Sequence, residues 1–597
     1  MTNKIYSKIV ILLGFVALGV GILSAYQRPA TGFELSTYAH TPLLFWVCSC
    51  FAIAASVLIV FSTSDRRSRV LGGWLGGFAM TTIVAVPIVR GYHYLGDGDA
   101  LSHFGTTMDI NAGLMAMSQS RYPMVHTIGS VLHDATGLAL PHVLLLVVLT
   151  FIIVFFVFVP LSVRELTGDT TTTYLGLFSG LLLLPLNHLS PSIYIHPTSQ
   201  ALMYAPAFLF VFFLLYRGRT WRLSLLFVTL AVFFVMLHPQ QAANMVLFSL
   251  TIAVIQVGSH VYYGDGFARY REWILPEATV FAVAFWLWVQ NLVAFWSSLE
   301  SVYMIPFEET QAAETTATRS LSLTAVGGSL PEVFFKLFLV SLLFALLTVM
   351  LMVWQFPQSK RWLRSRIHSD TMTSDGGTVQ TNVKYIFYGL FAVGALFIIY
   401  LVGGISDQYF RHLGMLMVFA SILGAIALGQ ILTYLSARYS LPTGRRAIAV
   451  FFVLCLALSI PVVFTSPYIF YSSNHVTEMQ MSGYETTFDH QSNEIAFEDI
   501  RSSTSRYGNA ILGRDIPSEA YYQRDEPNVP DRFADRNLPA YYDGPAYLPV
   551  PESDRVRDPV LWRGFRFSHE DFAYLDTDPE INRVQSNGGY DLYLVND

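Results

Sequence analysis

Apolar residues occur in long blocks separated by short polar stretches, and this pattern holds from the N-terminus to about position 465. A helix needs about 20 apolar residues to cross the hydrocarbon core of a bilayer. By that measure the blocks predict about thirteen transmembrane helices, at 9–26, 43–61, 71–89, 139–160, 173–190, 200–216, 222–237, 242–259, 278–296, 333–355, 385–403, 412–435 and 447–465. The first block follows Lys4 and Lys8 like a signal peptide, but with further spans behind it an uncleaved signal anchor is expected. Beyond about 467 the runs shorten and alternate, as in Tyr590-Asp591-Leu592-Tyr593-Leu594-Val595. The expected fold is therefore mainly α: a polytopic membrane domain over 1–466, then a C-terminal α/β or mostly β domain over 467–597. A Pro-rich irregular segment is expected at 527–559.

Composition sharpens this division. Only 13% of the 597 residues are charged and the mean hydropathy is +0.46, against about 25% charged residues in soluble domains. The last 131 residues carry 23 Asp and Glu, 11 Arg and no Lys, a net −12, which leaves +6 for the membrane part. With five Lys against 31 Arg in the whole chain, the acidic, Lys-free tail suggests adaptation to high salt. Cys48, Cys50 and Cys455 fall in apolar blocks and the tail has no cysteine, so no disulfide framework is expected.

Orientation follows from Lys and Arg in short loops. With the N-terminus cytoplasmic, the basic loops at 65–69, 164, 217–222, 269–271, 360–384 and 438–446 all fall inside. The outer side then receives the acidic loop 90–138, the segment 188–200, His238-Pro239-Gln240-Gln241, the loop 297–332, the stretch 406–412 and the extracytoplasmic tail. Within the outer loop 90–138 helices are expected at 100–119 and 123–135. In the second, Met124, Val125, Ile128, Val131 and Leu132 share an apolar face, with His126 and His133 more polar, as in a helix lying in the interface.

Candidate chemistry gathers on that side. In Gly96-Asp97-Gly98-Asp99-Ala100-Leu101-Ser102-His103 two carboxylates flank a glycine. A carboxylate within hydrogen-bond reach can take the proton of an attacking hydroxyl. The pair could instead hold a divalent cation through oxygen ligands, or form a plain solvated turn with Asp99 as a helix cap. His103 shares a face with Asp99 if a helix starts there. Arg411 and His412 open a span near the outer boundary, where a guanidinium either anchors the interface, pairs with Asp407, or binds a phosphate bidentately. His238, Gln240 and His196 sit at outer helix ends suited to sugar or phosphate hydrogen bonds. There is no Gly-rich phosphate loop and no nucleotide-binding fingerprint, and nucleic acid is not an expected partner.

On these residues the chain resembles the GT-C superfamily of membrane glycosyltransferases. The resemblance covers roughly 1–465. It rests on the acidic motif Gly96 to His103 in a large outer loop with interfacial helices, on Arg411 at the outer start of a late span, and on a C-terminal outer domain. It implies a polyprenyl- or dolichyl-phosphate-linked sugar as donor, a glycan acceptor on lipid or protein, and a loop aspartate as catalytic base or metal ligand, matched to Asp99 first and Asp97 second. Arg411, with His412 or His238, would hold the donor phosphate, and His103, Gln240 and His196 would contact sugar. Two departures stand out: the acidic loop follows the third span rather than the first, and the Trp-Trp-Asp-Tyr-Gly signature of oligosaccharyltransferases is absent from the tail. The likeness is best to a halophilic archaeal enzyme adding one sugar, mannose by analogy, as in protein N-glycosylation. A polysaccharide polymerase or ligase using lipid-linked donors is the alternative enzyme reading. A transporter or flippase is disfavoured by the scarcity of mid-span charges and the absence of a repeat.

Overall fold

The computed structural model describes residues 2–263, 273–304, 323–366, 377–403, 408–514, 521 and 523–596. The basic stretch at 269–271, residues 367–376 of the basic loop 360–384, residues 305–322 of the loop 297–332, and Ser406 and Asp407 lie outside them.

A helix stands at each of the thirteen apolar blocks, but not every one has the length or composition of a membrane span. Among the described residues eight do: Ile5–Tyr26, Leu43–Ser62, Leu140–Thr167, Pro197–Arg217, Pro239–Tyr262, Leu330–Gln355, Tyr409–Arg438 and Leu441–Val462. Trp221–Leu237, Leu275–Val289 and Ile386–Val402 are apolar but shorter. The Arg66–Val84 helix opens on arginines and is diluted by four glycines. The block expected at 173–190 is helical only over Thr170–Leu181. Pro185 and Pro191 follow, Leu183 and His188 adopt positive φ, and the chain runs irregularly to the next helix. Among the described residues eight of the thirteen expected spans therefore have the length and apolarity to cross a membrane, as in a multi-pass membrane protein.

The bundle has two chemically distinct ends. At one, side-chain oxygens of Asp65, Asp169, Thr220 and Ser440 cap the helices that start there by satisfying free N–H groups of the first turn. The same end collects arginines: Arg69 lies 4.6 Å over the Tyr174 ring, Arg217 pairs with Glu165 at 3.1 Å and Arg219 with Glu277 at 2.8 Å. At the other end Arg90 is buried in a bidentate pair with Glu34 at 2.5 and 2.6 Å, which Tyr92 also donates to.

The tail is built onto this second end. Its mixed sheet has the order β4-β3-β5-β7-β6, from β3 (Ala496–Asp499), β4 (Gln523–Asn528), β5 (Ala546–Pro551), β6 (Ile581–Ser586) and β7 (Tyr590–Val595). The irregular segment expected at 527–559 is interrupted by β5. Within β5, strand β3 reaches only Ala546 and Tyr547, so Pro549 and Pro551 lie where β5 has a neighbour on one side alone, the position at which a strand tolerates proline. Ile500, Phe533, Leu548, Phe567 and Tyr593 form the tail's own core.

Two seams join tail and bundle. The short strand β1 (Tyr94–Leu95) pairs antiparallel with β2 (His475–Val476). The Thr504–Leu512 helix lies across the Asp99–Asn111 helix at Gly105, where a Cβ would sit 1.8 Å from the Asn509 carbonyl oxygen. Only glycine admits that approach, and it brings Arg506 beside Asp99.

Candidate active site

The motif at 96–103 owes its shape to its glycines. Gly98 takes φ +59° and ψ −123°, a conformation open only to glycine, and is the N-cap residue of a helix that starts at Asp99. Asp99 is therefore the first helical residue rather than the cap. The turn at Gly98 separates the two carboxylates. Asp97 accepts from Arg557 Nη2 at 3.0 Å, whereas Asp99 pairs with Arg506 Nη2 at 2.7 Å. Each carboxylate thus has its own tail arginine, and among the described residues no group of three or more His, Cys, Asp or Glu converges on a metal position. The two carboxylates, turned to separate arginines, do not share one cation position in this arrangement.

Asp99 lines a cavity of ≈520 Å³. Seven of the eight sequence-predicted site residues border it: Asp99, His103, His196, His238, Gln240, Arg411 and His412. Asp97 does not. These residues come from four separate stretches and meet because their helices all end at the same level. Arg411 Nη1 donates to Gln240 Oε1 at 3.2 Å, and its Nε to Ser190 Oγ at 3.3 Å. Gln240 Nε2 donates to Gln408 and lies 3.2 Å from His412 Nε2, while His412 Nδ1 is 2.9 Å from Asn244 Oδ1. Gln241 holds the Arg411 carbonyl at 3.1 Å. Among the described residues the guanidinium is thus held by neutral groups, Ser190 and Gln240.

The opposite wall is histidine-rich. His103 Nδ1 lies 3.1 Å from His126 Nε2, and His126 Nδ1 lies 3.1 Å from Ser120 Oγ. The expectation that His126 is on the polar side of the 123–135 segment is corrected here. In the Pro123–Thr136 helix Val125, His126, Gly129 and Ser130 are buried and Val131 is exposed, because His103 offers His126 a partner inside. The preceding helix also stops at Asn111 rather than running to 119, and the chain turns away at Gly113 with φ +71°. Burial pushes the His103 imidazole well below the ordinary histidine range, aided by His126 and His196, and burial with nearby Arg514 lowers His126 to about 3. His196 is pushed down to about 4 by burial, then by Arg411. At neutral pH these rings are uncharged hydrogen-bonding groups.

Several lining residues escape a reading of local pattern. Tyr122 stacks on the His238 ring at 4.9 Å and 9°, with Arg121 beside it, and His238 Nε2 lies 2.9 Å from Thr198 Oγ1. Arg506 and Arg514 reach the cavity from the tail. Phe285, Leu292, Phe295, Leu299, Leu396 and Tyr400 complete an apolar side. The one available signal was arginine itself, since Arg121, Arg506 and Arg514 lie in segments assigned to the outer side against the usual charge bias.

The chain is similar to two proteins of known structure. ArnT from Cupriavidus metallidurans bound to undecaprenyl phosphate is 9% identical with a TM-score of 0.44, over 89% of this chain and 98% of that one. The Archaeoglobus fulgidus oligosaccharyltransferase tethered to an acceptor peptide is 10% identical with a TM-score of 0.44, over 87% of this chain and 74% of that one. No family model matches the sequence, and no curated protein does.

Proposed function

We propose that this protein is a glycosyltransferase moving a single sugar from a polyprenyl or dolichyl phosphate to a glycan acceptor at the outer face of a cell membrane. One observation carries the reading: Asp99 and Arg411 border one cavity that is polar at one side and apolar at the other. A lipid phosphate has that same division, an anionic head next to a hydrocarbon chain. The cavity falls within the roughly 300–1,000 Å³ of small-molecule sites.

In this reading the acceptor hydroxyl attacks the anomeric carbon of the donor and its proton passes to a carboxylate oxygen of Asp99. The bond from the anomeric carbon to the phosphate oxygen breaks, and its electron pair leaves with the lipid phosphate, inverting the anomeric centre. Negative charge grows on the phosphate as the bond breaks, so a fixed cation is most effective at that moment. Arg411, held by Gln240 and Ser190, supplies it, with His412 and His238 donating hydrogen bonds. His103, His196 and Gln240 contact the sugar, and the apolar side takes the first isoprene units. The excess of arginine at the capped end of the bundle supports a cytoplasmic N-terminus and an extracytoplasmic tail.

Mass spectrometry of lipid-linked and protein-linked glycans, with and without the gene, tests this. A glycan shortened by one residue is expected. Loss of whole repeat units supports a polymerase or ligase instead, and an unaltered glycan profile overturns the proposal.

A further inference from the structure

Charge around the cavity is unbalanced. Among the described residues four arginines line it, Arg121, Arg411, Arg506 and Arg514, against a single carboxylate, Asp99. Arg506 is matched by Asp99. Arg411 is held by neutral groups and faces the place assigned to the donor phosphate. Among the described residues the guanidinium of Arg514 has neither hydrogen bond nor ion pair. Asp109 bonds its backbone amide instead. Among the described residues the Arg121 side chain has no carboxylate partner and lies 6.0 Å from the Tyr122 ring. The neighbouring histidines are neutral and add no charge. A phosphodiester donor brings one negative charge, which leaves the cation excess largely unmet.

The position of the excess indicates which substrate meets it. Arg411 sits in the bundle with Gln240 and His412. Arg506 and Arg514 come from the tail, the first in the opening turn of the Thr504–Leu512 helix and the second two residues past its end, and Arg506 touches Asp99. An acceptor hydroxyl must lie within hydrogen-bond reach of Asp99 to lose its proton, so groups beside that hydroxyl face Arg506 and Arg514.

We infer that the acceptor is an acidic sugar, with a carboxylate, sulfate or phosphate close to the attacking hydroxyl, recognised by Arg514 with Arg506 and Arg121. This rests on the glycosyltransferase reading. Guanidinium pairs bidentately with such groups. A neutral sugar of the same shape would leave these cations without a partner in the complex, and that difference is the source of selectivity.

The test uses the full chain in nanodiscs and four probes: p-nitrophenyl glucuronide, p-nitrophenyl glucoside 6-phosphate, the neutral p-nitrophenyl glucoside, and undecaprenyl phosphate. A charged hydrogen bond implies about a tenfold preference for an anionic glycoside over the neutral one. Arg514→Gln should reduce that preference to about threefold or less, with Arg514→Lys in between and undecaprenyl phosphate binding as in the wild type. The glucuronide and the 6-phosphate distinguish carboxylate from phosphate as the group recognised. Equal binding of charged and neutral glycosides overturns the inference, as does a preference that survives Arg514→Gln. It is also overturned if Arg514→Gln weakens undecaprenyl phosphate as much as the glucuronide, since the extra charge then serves the donor. If undecaprenyl phosphate fails to bind the wild type while the preference holds, the donor reading falls and acidic-ligand recognition stands.

Discussion

Replacing Asp99 with Asn separates chemistry from structure at this site. Asn keeps the size of the side chain and an oxygen for Arg506, but it cannot take a proton. The Asp99–Arg506 pair is open to water, its side chains 58% and 39% exposed, so its loss costs stability only about 0–1 kcal/mol. A positioned general base contributes about 10²–10⁴-fold in rate, or roughly 3–5 kcal/mol of barrier. Asp99→Asn should therefore lower turnover at least a hundredfold with thermal unfolding and undecaprenyl phosphate binding near wild type. Asp97→Asn is the internal contrast. Its carboxylate pairs with Arg557 outside the cavity, so it should lose less activity than Asp99→Asn and more stability. The assay is transfer of radiolabelled sugar from polyprenyl phosphate by the full chain in nanodiscs. Turnover of Asp99→Asn within about fivefold of wild type, well below the smallest loss expected of a base, refutes the role given to Asp99.

Three further outcomes follow from the geometry. Arg411→Gln should lower turnover about 10²–10³-fold, the typical cost of removing a charge-stabilising donor, with Arg411→Lys in between, read in the same transfer assay. Gly98→Ala meets no atom within 4 Å, so its cost is backbone strain at φ +59°, about 1–3 kcal/mol; because the strain sits between Asp97 and Asp99, activity should fall further than the melting temperature indicates. His126 is depressed from 6.5 to about 3, so it binds protons less readily folded than unfolded. The stability it contributes is complete above about pH 6.5 and is lost as pH falls toward 3, about 2 kcal/mol by pH 5. His126→Gln should flatten unfolding curves over that range, and an unaltered pH dependence would count against a neutral buried imidazole.

What could be read from the chain depended on whether a residue's role was set locally. The motif at 96–103 was legible because its glycines and the helix after them fix Asp99 and His103 within one turn. Arg411, His238, Gln240 and His196 were legible for a different reason: a polar residue at the outer end of an apolar helix has its height in the bilayer set by that helix, so such residues share a level before any contact is known. Lateral position is not encoded this way, and that is where expectation and structure part. Asp97 and Asp99 are two residues apart, yet one enters the cavity and the other is drawn off by Arg557, 460 residues along the chain. Arg506 and Arg514 belong to a segment whose own periodicity says only helix, and they reach the cavity because Gly105 lets the tail helix approach the loop helix closely. His126 was misread for the same reason, since the residue that makes it a buried partner lies on another helix. The carboxylate and the cation proposed for transfer are thus products of local pattern and membrane depth, whereas the cations proposed to select the acceptor come from tertiary docking of the tail. Selectivity should accordingly be the property that changes when the tail's arginines are altered, with the transfer chemistry left to the bundle and its outer loop.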